Sequence, residues 1–346
     1  MKTFLITGGS GFLGNHLAHR LLTSGNKIII LDIAPLKDID LLGHVEFHEG
    51  DVRDFSLMER LAQKTDVVIH CAASLPLASN KEILSTNIEG TRIALETAHA
   101  AQVKRFINIS STAVYGVSEK HPNLESDPLV EAGAYGKSKI EGEKLCEDYR
   151  KKGLIVTIVR PKTFIGIGRL GIFAILFEWI KDGKRIPVIG NGSNRYQLLS
   201  VDDLVDFIVL ASQADPEVAN NTYNVGAQEF DTVQEDFEKL FAVAKTGARL
   251  RKTPAPLVKF FLRIFEVMGL SPLYKWVYGT ADKDSYVSIE KARHAFDWHP
   301  KKSNAEALIE TYTWYLTHWQ EYEHRQGITS HEPWKQGVLK AVKWLS

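Results

Sequence analysis

Cysteine is nearly absent: Cys71 and Cys146 are the only two in 346 residues. So sparse a set argues against a disulfide-stapled secreted fold and against a cysteine-based centre, and no metal is expected. Net charge is missing too. The 42 basic residues balance the 42 acidic ones, which leaves no bulk field to attract nucleic acid. No stretch reaches the roughly 18 uncharged apolar residues of a membrane span. The short apolar run TFLIT after Met1 and Lys2 is too brief for the core of a signal peptide. The expectation is a cytoplasmic protein whose partner is a small molecule. Internal repeats, low-complexity tracts and Ser/Gly/Pro linkers are also lacking, so no boundary between lobes is marked by composition.

What is present is enough apolar residue for a large core, 44% of the chain, arranged in a regular alternation. Apolar runs read as strands at TFLIT, KIIILD, VEFHEGDV, DVVIHCAA, KRFINISS and LIVTIVRP. Segments of helical spacing fall between them, at 55–64, 85–101 and 135–151 among others. Strands that are apolar almost throughout, alternating with helices, imply an α/β fold with a Rossmann-type doubly wound parallel sheet. Past Pro161 the rhythm loosens: a helix near 171–183, a glycine-rich turn in RIPVIGNGSN, a capped helix in VDDLVDFIVLAS and a strand in TYNVG. From about 228 the chain reads as mainly helical and aromatic. The expected organisation is a nucleotide-binding domain over 1–165, its sheet completed by segments near 196–226, with a smaller helical substrate lobe over 166–346 interleaved with it.

The first loop carries the clearest chemistry. Gly8, Gly11 and Gly14 lie between the first strand and the first helix. Glycines there permit a tight turn, close approach of backbone to a pyrophosphate and helix–sheet packing. Asp32 ends the second strand, 24 positions after Gly8, and Ile33 and Ala34 follow it without a basic residue. A carboxylate in that place binds both ribose hydroxyls and repels a 2′-phosphate, so NAD is expected rather than NADP. Asp51 and Val52 follow the third strand, where a side chain can meet the adenine; Asp51 reads equally well as a cap for a helix at 54–63. Small residues in His70-Cys71-Ala72-Ala73 let the fourth strand's end lie close to a cofactor, and His70 reads as a packed strand-end histidine.

Tyr135 and Lys139 are four apart and share one helix face. A free phenol titrates near ~10, too high for a base at neutrality. A neighbouring ammonium and a cationic nicotinamide ring both favour the phenolate. Ser111, at the end of the strand before, can hydrogen-bond the oxygen that exchanges the proton. The three groups suit hydride transfer at a secondary alcohol.

With these residues the chain resembles the extended short-chain dehydrogenase/reductase family. The resemblance rests on TGGSGFLG (7–14), Asp32, GDVRD (50–54), HCAAS (70–74), NIEGT (87–91), ISSTAVYG (109–116), YGKSK (135–139), RPKTFIGIG (160–168) and SVDDL (200–204). It implies Tyr135 as acid/base, Lys139 as its partner and ribose ligand, Ser111 as the polarising hydroxyl, and Asn87 as a residue ordering the supporting helix. The implied cofactor set adds Phe12, Leu13, Pro161 and Thr163 to the glycines, Asp32, Asp51, Val52, Ala72, Ala73, Asn87, Tyr135 and Lys139. The implied substrate set is Ser74, Ser111, Thr112, Thr163 and Arg195.

Within the family, dehydratases need an acidic group just after the polarising hydroxyl, whereas Thr112 and Ala113 stand here. Similar epimerases carry Asn where this chain has Thr163, and a phosphate-binding Arg where it has Tyr196, with Arg195 one step earlier. The expected function is an NAD-dependent sugar-nucleotide epimerase, with a 3-beta-hydroxysteroid-like dehydrogenase or ketone reductase as the alternative. An inactive NAD-binding regulator fits poorly with an intact Ser-Tyr-Lys set. The resemblance also implies a homodimer through the helices at 85–101 and 135–151, with Ala94, Ala98 and Ala101 allowing close approach. The apolar segment 256–270 reads as a helix packed on the substrate lobe, or as a lid over an apolar alcohol. The C-terminal stretch puts Trp334, Val338, Ala341, Val342 and Leu345 on one face, a pattern for packing or for contact with an anionic membrane surface.

Overall fold

The first strand alternates its faces, and that alternation organises the fold. In the computed structural model, which describes residues 1–267 and 275–322, Phe4 and Ile6 enter one buried cluster and Leu5 enters another. Both faces of the sheet are therefore covered, which is why its strands carry so few polar residues.

The first half runs β1 (Thr3–Thr7), α1 (Phe12–Thr23), β2 (Lys27–Asp32), β3 (Glu46–Glu49), α2 (Phe55–Ala62), β4 (Val67–His70), α3 (Asn80–Leu84), a π-helical turn (Ser85–Glu89), α4 (Gly90–Ala100), β5 (Arg105–Ile109), a 3₁₀ turn (Thr112–Tyr115), α5 (Gly133–Lys151) and β6 (Val156–Pro161). The second half continues with β7 (Thr163–Ile165), α6 (Ile172–Lys181), β8 (Arg185–Ile189), β9 (Leu198–Ser200), α7 (Val201–Gln213), α8 (Pro216–Ala219), β10 (Thr222–Val225), α9 (Val233–Ala244), β11 (Arg249–Thr253), α10 (Ala255–Val267), α11 (Lys275–Thr280), α12 (Glu290–Phe296) and α13 (Asn304–Tyr322).

The main sheet has seven strands in the order β10-β6-β5-β4-β1-β2-β3, and every neighbouring pair is parallel. From β1 the chain winds outward through β2 and β3, then returns to build β4, β5, β6 and β10 on the other side. The strand order thus reverses between β1 and β4, the position at which an open α/β sheet forms a crevice beyond its carboxyl ends. One face packs on α1 and α7 through Leu17, Leu21, Phe207 and Ile208; the other packs on α2, α4 and α5 through Met58, Leu61, Ala94 and Cys146. A third cluster joins α6, α9 and α13 through Phe177, Trp179, Leu240, Leu308 and Tyr312.

Several local expectations are corrected. The helix expected at 85–101 is present but begins earlier, at Asn80, and contains a π turn at Ser85–Glu89 before α4. RIPVI is a strand, β8, paired in parallel with β11, so the stretch after 228 also contributes β structure. Among the described residues of the 256–270 segment, Leu262 is buried while Leu257, Phe260 and Ile264 are exposed, so α10 packs one side and leaves apolar side chains on another. The C-terminal stretch bearing Trp334 and Leu345 lies outside the described residues, as do 268–270. No helix among the described residues is long and apolar enough to cross a membrane.

Ala94 and Ala98 are fully buried in the chain's own core, beneath α4, where they pack with Leu5, Leu61 and Val68. They are not available to a second copy. The outer side of α4 instead carries Arg92 paired with Glu89 and Glu96. Ala98→Leu is expected to overpack this core and cost about 1–3 kcal/mol. Thermal melts should show the loss with no change in light-scattering mass; a changed mass at unchanged stability would put Ala98 in an interface.

Candidate active site

The glycine loop lies at the carboxyl end of β1. Gly8 has φ +71°, and a Cβ on it would stand 2.8 Å from the Ala72 backbone nitrogen, so a side chain is excluded both by conformation and by the neighbouring strand's end. A Cβ on Gly14 would lie 2.3 Å from the Gly8 carbonyl oxygen. The loop is closed by Gly8 N–H donating to Leu31 O (2.8 Å) and Gly11 N–H to Gly8 O (3.1 Å). α1 then begins on Gly11 with no side-chain cap and no acidic residue in its first turn. Its positive end is left for an anion. Phe12 and Leu13 bury their side chains, so what they can offer a phosphate is backbone.

Asp32 accepts from Ser10 N–H (3.0 Å) and Ala34 N–H (2.9 Å). Desolvation raises its carboxyl above the ordinary value, and these backbone donors oppose the rise. Asp51 is not the cap of α2: Asp54 is, accepting from Leu57 N–H at 3.0 Å. Asp51 instead holds the Arg53 guanidinium at 2.6 Å, which keeps its carboxyl below the usual range. Val52 is buried against Gly90, where a Cβ would come within 2.6 Å of its methyl carbon.

The strand-end histidine is packed. His70 is buried between Thr7 Oγ1 (2.8 Å from Nδ1) and Thr91 Oγ1 (3.0 Å from Nε2), and burial pushes its pKa down to about 3. Beyond it, Ala72 N–H donates to Thr7 Oγ1 (3.3 Å), and Ala72 and Ala73 are half-buried. Asn87, in the π turn, brackets Ser74: its Oδ1 accepts from Ser74 N–H (2.7 Å) and its amide donates to Ser74 O (3.2 Å). The same amide donates to Ser138 Oγ (3.0 Å), and Ser138 donates to the Tyr135 carbonyl (2.8 Å). Asn87 therefore ties the end of β4 to the first turn of α5.

Ser111, Tyr135 and Lys139 converge. Ser111 leaves β5 and accepts from Ala113 N–H (3.1 Å) at the start of the 3₁₀ turn. Burial pushes the Tyr135 phenol above its ordinary value; a hydrogen bond with Ser111, and then the charge of Arg169, pull it back. The ammonium expected to favour the phenolate sits 5.8 Å from the Tyr135 ring centroid and donates to Ile109 O at 2.8 Å. Burial lowers Lys139 to about 8, partly offset by Cys71, Glu143 and Cys146. The protein's own groups thus leave the phenol protonated at neutral pH. Arg169, whose guanidinium lies 5.2 Å from the Phe12 ring and 5.4 Å from Phe164, carries no motif that would have marked it.

On the substrate side, Thr112 is buried, and neither it nor Ala113 can titrate. Pro161 is buried at the end of β6, two residues before Thr163. The two positions that depart from the epimerase pattern meet: burial pushes the Tyr196 phenol above its ordinary value, and the side chains of Thr163 and Thr280 pull it back. Arg195 takes Asp284 through its backbone N–H (2.8 Å), and its guanidinium lies 4.5 Å from the Phe230 ring and 5.1 Å from Tyr286. Sequence reasoning missed Lys162 entirely. It is 2% exposed, donates to Ser285 Oγ at 2.8 Å, and lies 4.9 Å from the Tyr196 ring.

The residues present fit a dinucleotide: a glycine cradle that a Cβ would fill, an uncapped helix start, and a carboxylate beside it with no basic neighbour. The model of the NAD-dependent epimerase/dehydratase family matches residues 4–226. The chain belongs to that family, and it is an NAD-dependent enzyme of the extended short-chain dehydrogenase/reductase type. Along its length it is 34% identical to an uncharacterised protein, y4nG, of Sinorhizobium fredii, covering 99% of this chain and 86% of that one. It is 29% identical to a UDP-glucose 4-epimerase of Vibrio cholerae, covering 90% of this chain and 94% of the relative. Among solved structures, the UDP-glucose 4-epimerase of Thermotoga maritima with UDP-glucose superposes with a TM-score of 0.76 at 25% identity, over 92% of this chain and 99% of that one.

Asp32→Ala is expected to weaken NAD binding far more than NADP binding, measured by quenching of intrinsic fluorescence; equal affinity of the parent protein for both cofactors would contradict the role of this carboxylate. Lys162 gives a second expectation, on stability. Burial pushes its amine down to about 7, against ~10.4 in an unfolded chain. Between those values the unfolded chain holds a proton that the folded chain does not, so this group makes stability rise with pH across that window. Lys162→Met should therefore stabilise the fold at pH 6 by roughly 2–4 kcal/mol and by little at pH 10. Urea unfolding of both proteins across that range checks it, and a gain that does not change with pH would refute it.

Proposed function

We propose that this enzyme is a sugar-nucleotide epimerase that inverts a secondary alcohol by transient oxidation. The observation that carries the reading is the convergence of Ser111, Tyr135 and Lys139 beside a glycine loop that fits NAD. Bound NAD supplies a hydride acceptor that later returns the hydride, and its oxidised ring is a cation.

The chain's own part is proton transfer and orientation. Tyr135 takes the alcohol proton in the oxidation and gives it back in the reduction. Its phenol lies too high to do so unaided, and a cation beside it favours the phenolate. Ser111 donates to the reacting oxygen, where charge develops. Lys139 is fixed by Ile109 O and turns its remaining N–H donors toward the ribose. Gly8, Gly11, Gly14, Phe12 and Leu13 take the pyrophosphate on backbone, and Asp32 takes the adenosine ribose. Ser74, Thr112, Thr163 and Arg195 line the substrate side, with Ala72, Ala73, Asn87 and Pro161 framing the nicotinamide. The absence of a titratable group at Thr112 and Ala113 supports epimerisation over loss of water. UDP-glucose 4-epimerases among the relatives, such as that of Vibrio cholerae, support a nucleotide sugar rather than an apolar alcohol.

Incubation with UDP-, GDP- and dTDP-hexoses, followed by proton NMR of the sugar, is expected to show interconversion of 4-epimers without net release of reduced cofactor. Stoichiometric accumulation of reduced NAD with an alcohol would overturn the reading in favour of a dehydrogenase. Tyr135→Phe should keep NAD affinity and lose about 10²–10⁴-fold in turnover. A single-turnover rate within about threefold of the parent's would remove Tyr135 from the role.

A further inference from the structure

Glu143 lies on α5 two turns after Tyr135 and one turn after Lys139, and it is buried. Its carboxylate holds Arg160 of β6 in a forked ion pair: Arg160 Nε to Oε1 at 2.9 Å and Nη2 to Oε2 at 2.6 Å. The two side chains are 5% and 6% exposed. The pair also reaches other elements. Ser110, the residue before Ser111, donates to Glu143 Oε1 at 2.5 Å. Arg160 Nη1 donates to the Tyr115 hydroxyl (2.8 Å) and to Glu125 O (3.1 Å). Tyr115 passes its proton donor to Asn224 Oδ1 of β10 (2.7 Å). One buried ion pair therefore joins the end of β5, the 3₁₀ turn, α5, β6 and β10.

We propose that the Glu143–Arg160 pair is the positioning device of the active site, fixing the helix that carries Tyr135 and Lys139 in register with Ser111. It rests on the proton-transfer roles given above to Tyr135 and Lys139. Ser110 and Ser111 are adjacent on one strand end, so holding Ser110 to Glu143 sets where the Ser111 hydroxyl meets α5. A buried pair of this kind contributes little net stability, since desolvation offsets its attraction, but removing one partner strands a charge. Its value is in geometry and in local field. Lys139 faces Tyr135, Glu143 and Cys146 on its own helix, His70 and Cys71 from β4 and the loop after it, and the Ile109 carbonyl from β5. Of these, Glu143 is the carboxylate that raises Lys139 against the effect of burial.

Charge-changing variants separate this role from simple packing. Glu143→Gln keeps the shape and leaves Arg160 unbalanced; Arg160→Met leaves Glu143 unbalanced. The pH dependence of Lys139 acetylation by acetic anhydride, read by mass spectrometry, is expected to move down in Glu143→Gln and up in Arg160→Met. Turnover should fall about tenfold or more in both, with KM and NAD affinity within about threefold. The proposal is overturned if both variants keep the parent's Lys139 titration and turnover within about twofold while Tyr135→Phe is inactive. If Tyr135→Phe is itself active, the proton-transfer reading has failed, and the acetylation shifts still decide the role of the pair. Should the single variants not fold, the apolar pair Glu143→Leu with Arg160→Met leaves no stranded charge. With Ser110→Ala it then decides: lowered turnover at unchanged NAD affinity supports the positioning role, and parent turnover in both refutes it.

Discussion

Everything at the site hangs on a chain of buried hydrogen bonds that starts where the sheet reverses. Thr7 and His70 are paired neighbours on β1 and β4. Polar groups so deeply buried are tolerated only when partnered. Thr91 donates its hydroxyl to Asn87 O at 2.7 Å, so it accepts from His70 Nε2–H, and His70 Nδ1 in turn accepts from Thr7. The ring must be neutral for both bonds to stand, which is what burial enforces. From Asn87 the chain passes through Ser138 to the Tyr135 backbone. The glycine loop and α5 are thus held at one separation by a run of short polar side chains.

The π turn between α3 and α4 belongs to the same device. A π turn inside a helix is a rare feature found mostly at functional sites. Here it holds Asn87, whose amide reaches Ser74 on one side and Ser138 on the other. The second half of the chain reaches the site in a different manner, as short pieces that add to what the first half has built. β10 extends the main sheet beside β6, and β9 pairs with β7 in a separate two-stranded sheet. Asn304, at the start of α13, donates to Tyr196 O and Asp236 Oδ2 at 2.8 Å each. The segment carrying Tyr196 is fixed from behind by these bonds.

Two cations in this region are buried on different terms. Arg160 is fully answered by Glu143 and stays charged, raised above its ordinary value. Lys162, two residues on, has a serine hydroxyl and an aromatic ring for company, and burial pushes it toward neutrality. A guanidinium with a forked carboxylate can remain ionised in the interior, whereas an amine without one sheds its proton.

The parallel sheet, the glycine loop, Asp32 and the Tyr135–Lys139 face were legible because each depends on near neighbours in the chain. Strand period, turn chemistry and helical spacing are local properties, and they survive folding unchanged. Legibility ended where distant segments meet. One local choice was also left open: Asp51 and Asp54 both precede α2, and the cap falls to Asp54 while Arg53 takes Asp51. The small residues Ala94 and Ala98 look the same whether they face the chain's own core or another copy. The approach of Thr163 to Tyr196, two positions that read separately as departures from a pattern, exists only because β7 and the segment before β9 lie side by side. The sequence by itself determined the sheet, the glycine loop and the shared helix face of Tyr135 and Lys139. Only the tertiary structure decided the state of the buried charges, because a titratable group answers to every element packed around it, and those elements come from the whole length of the chain.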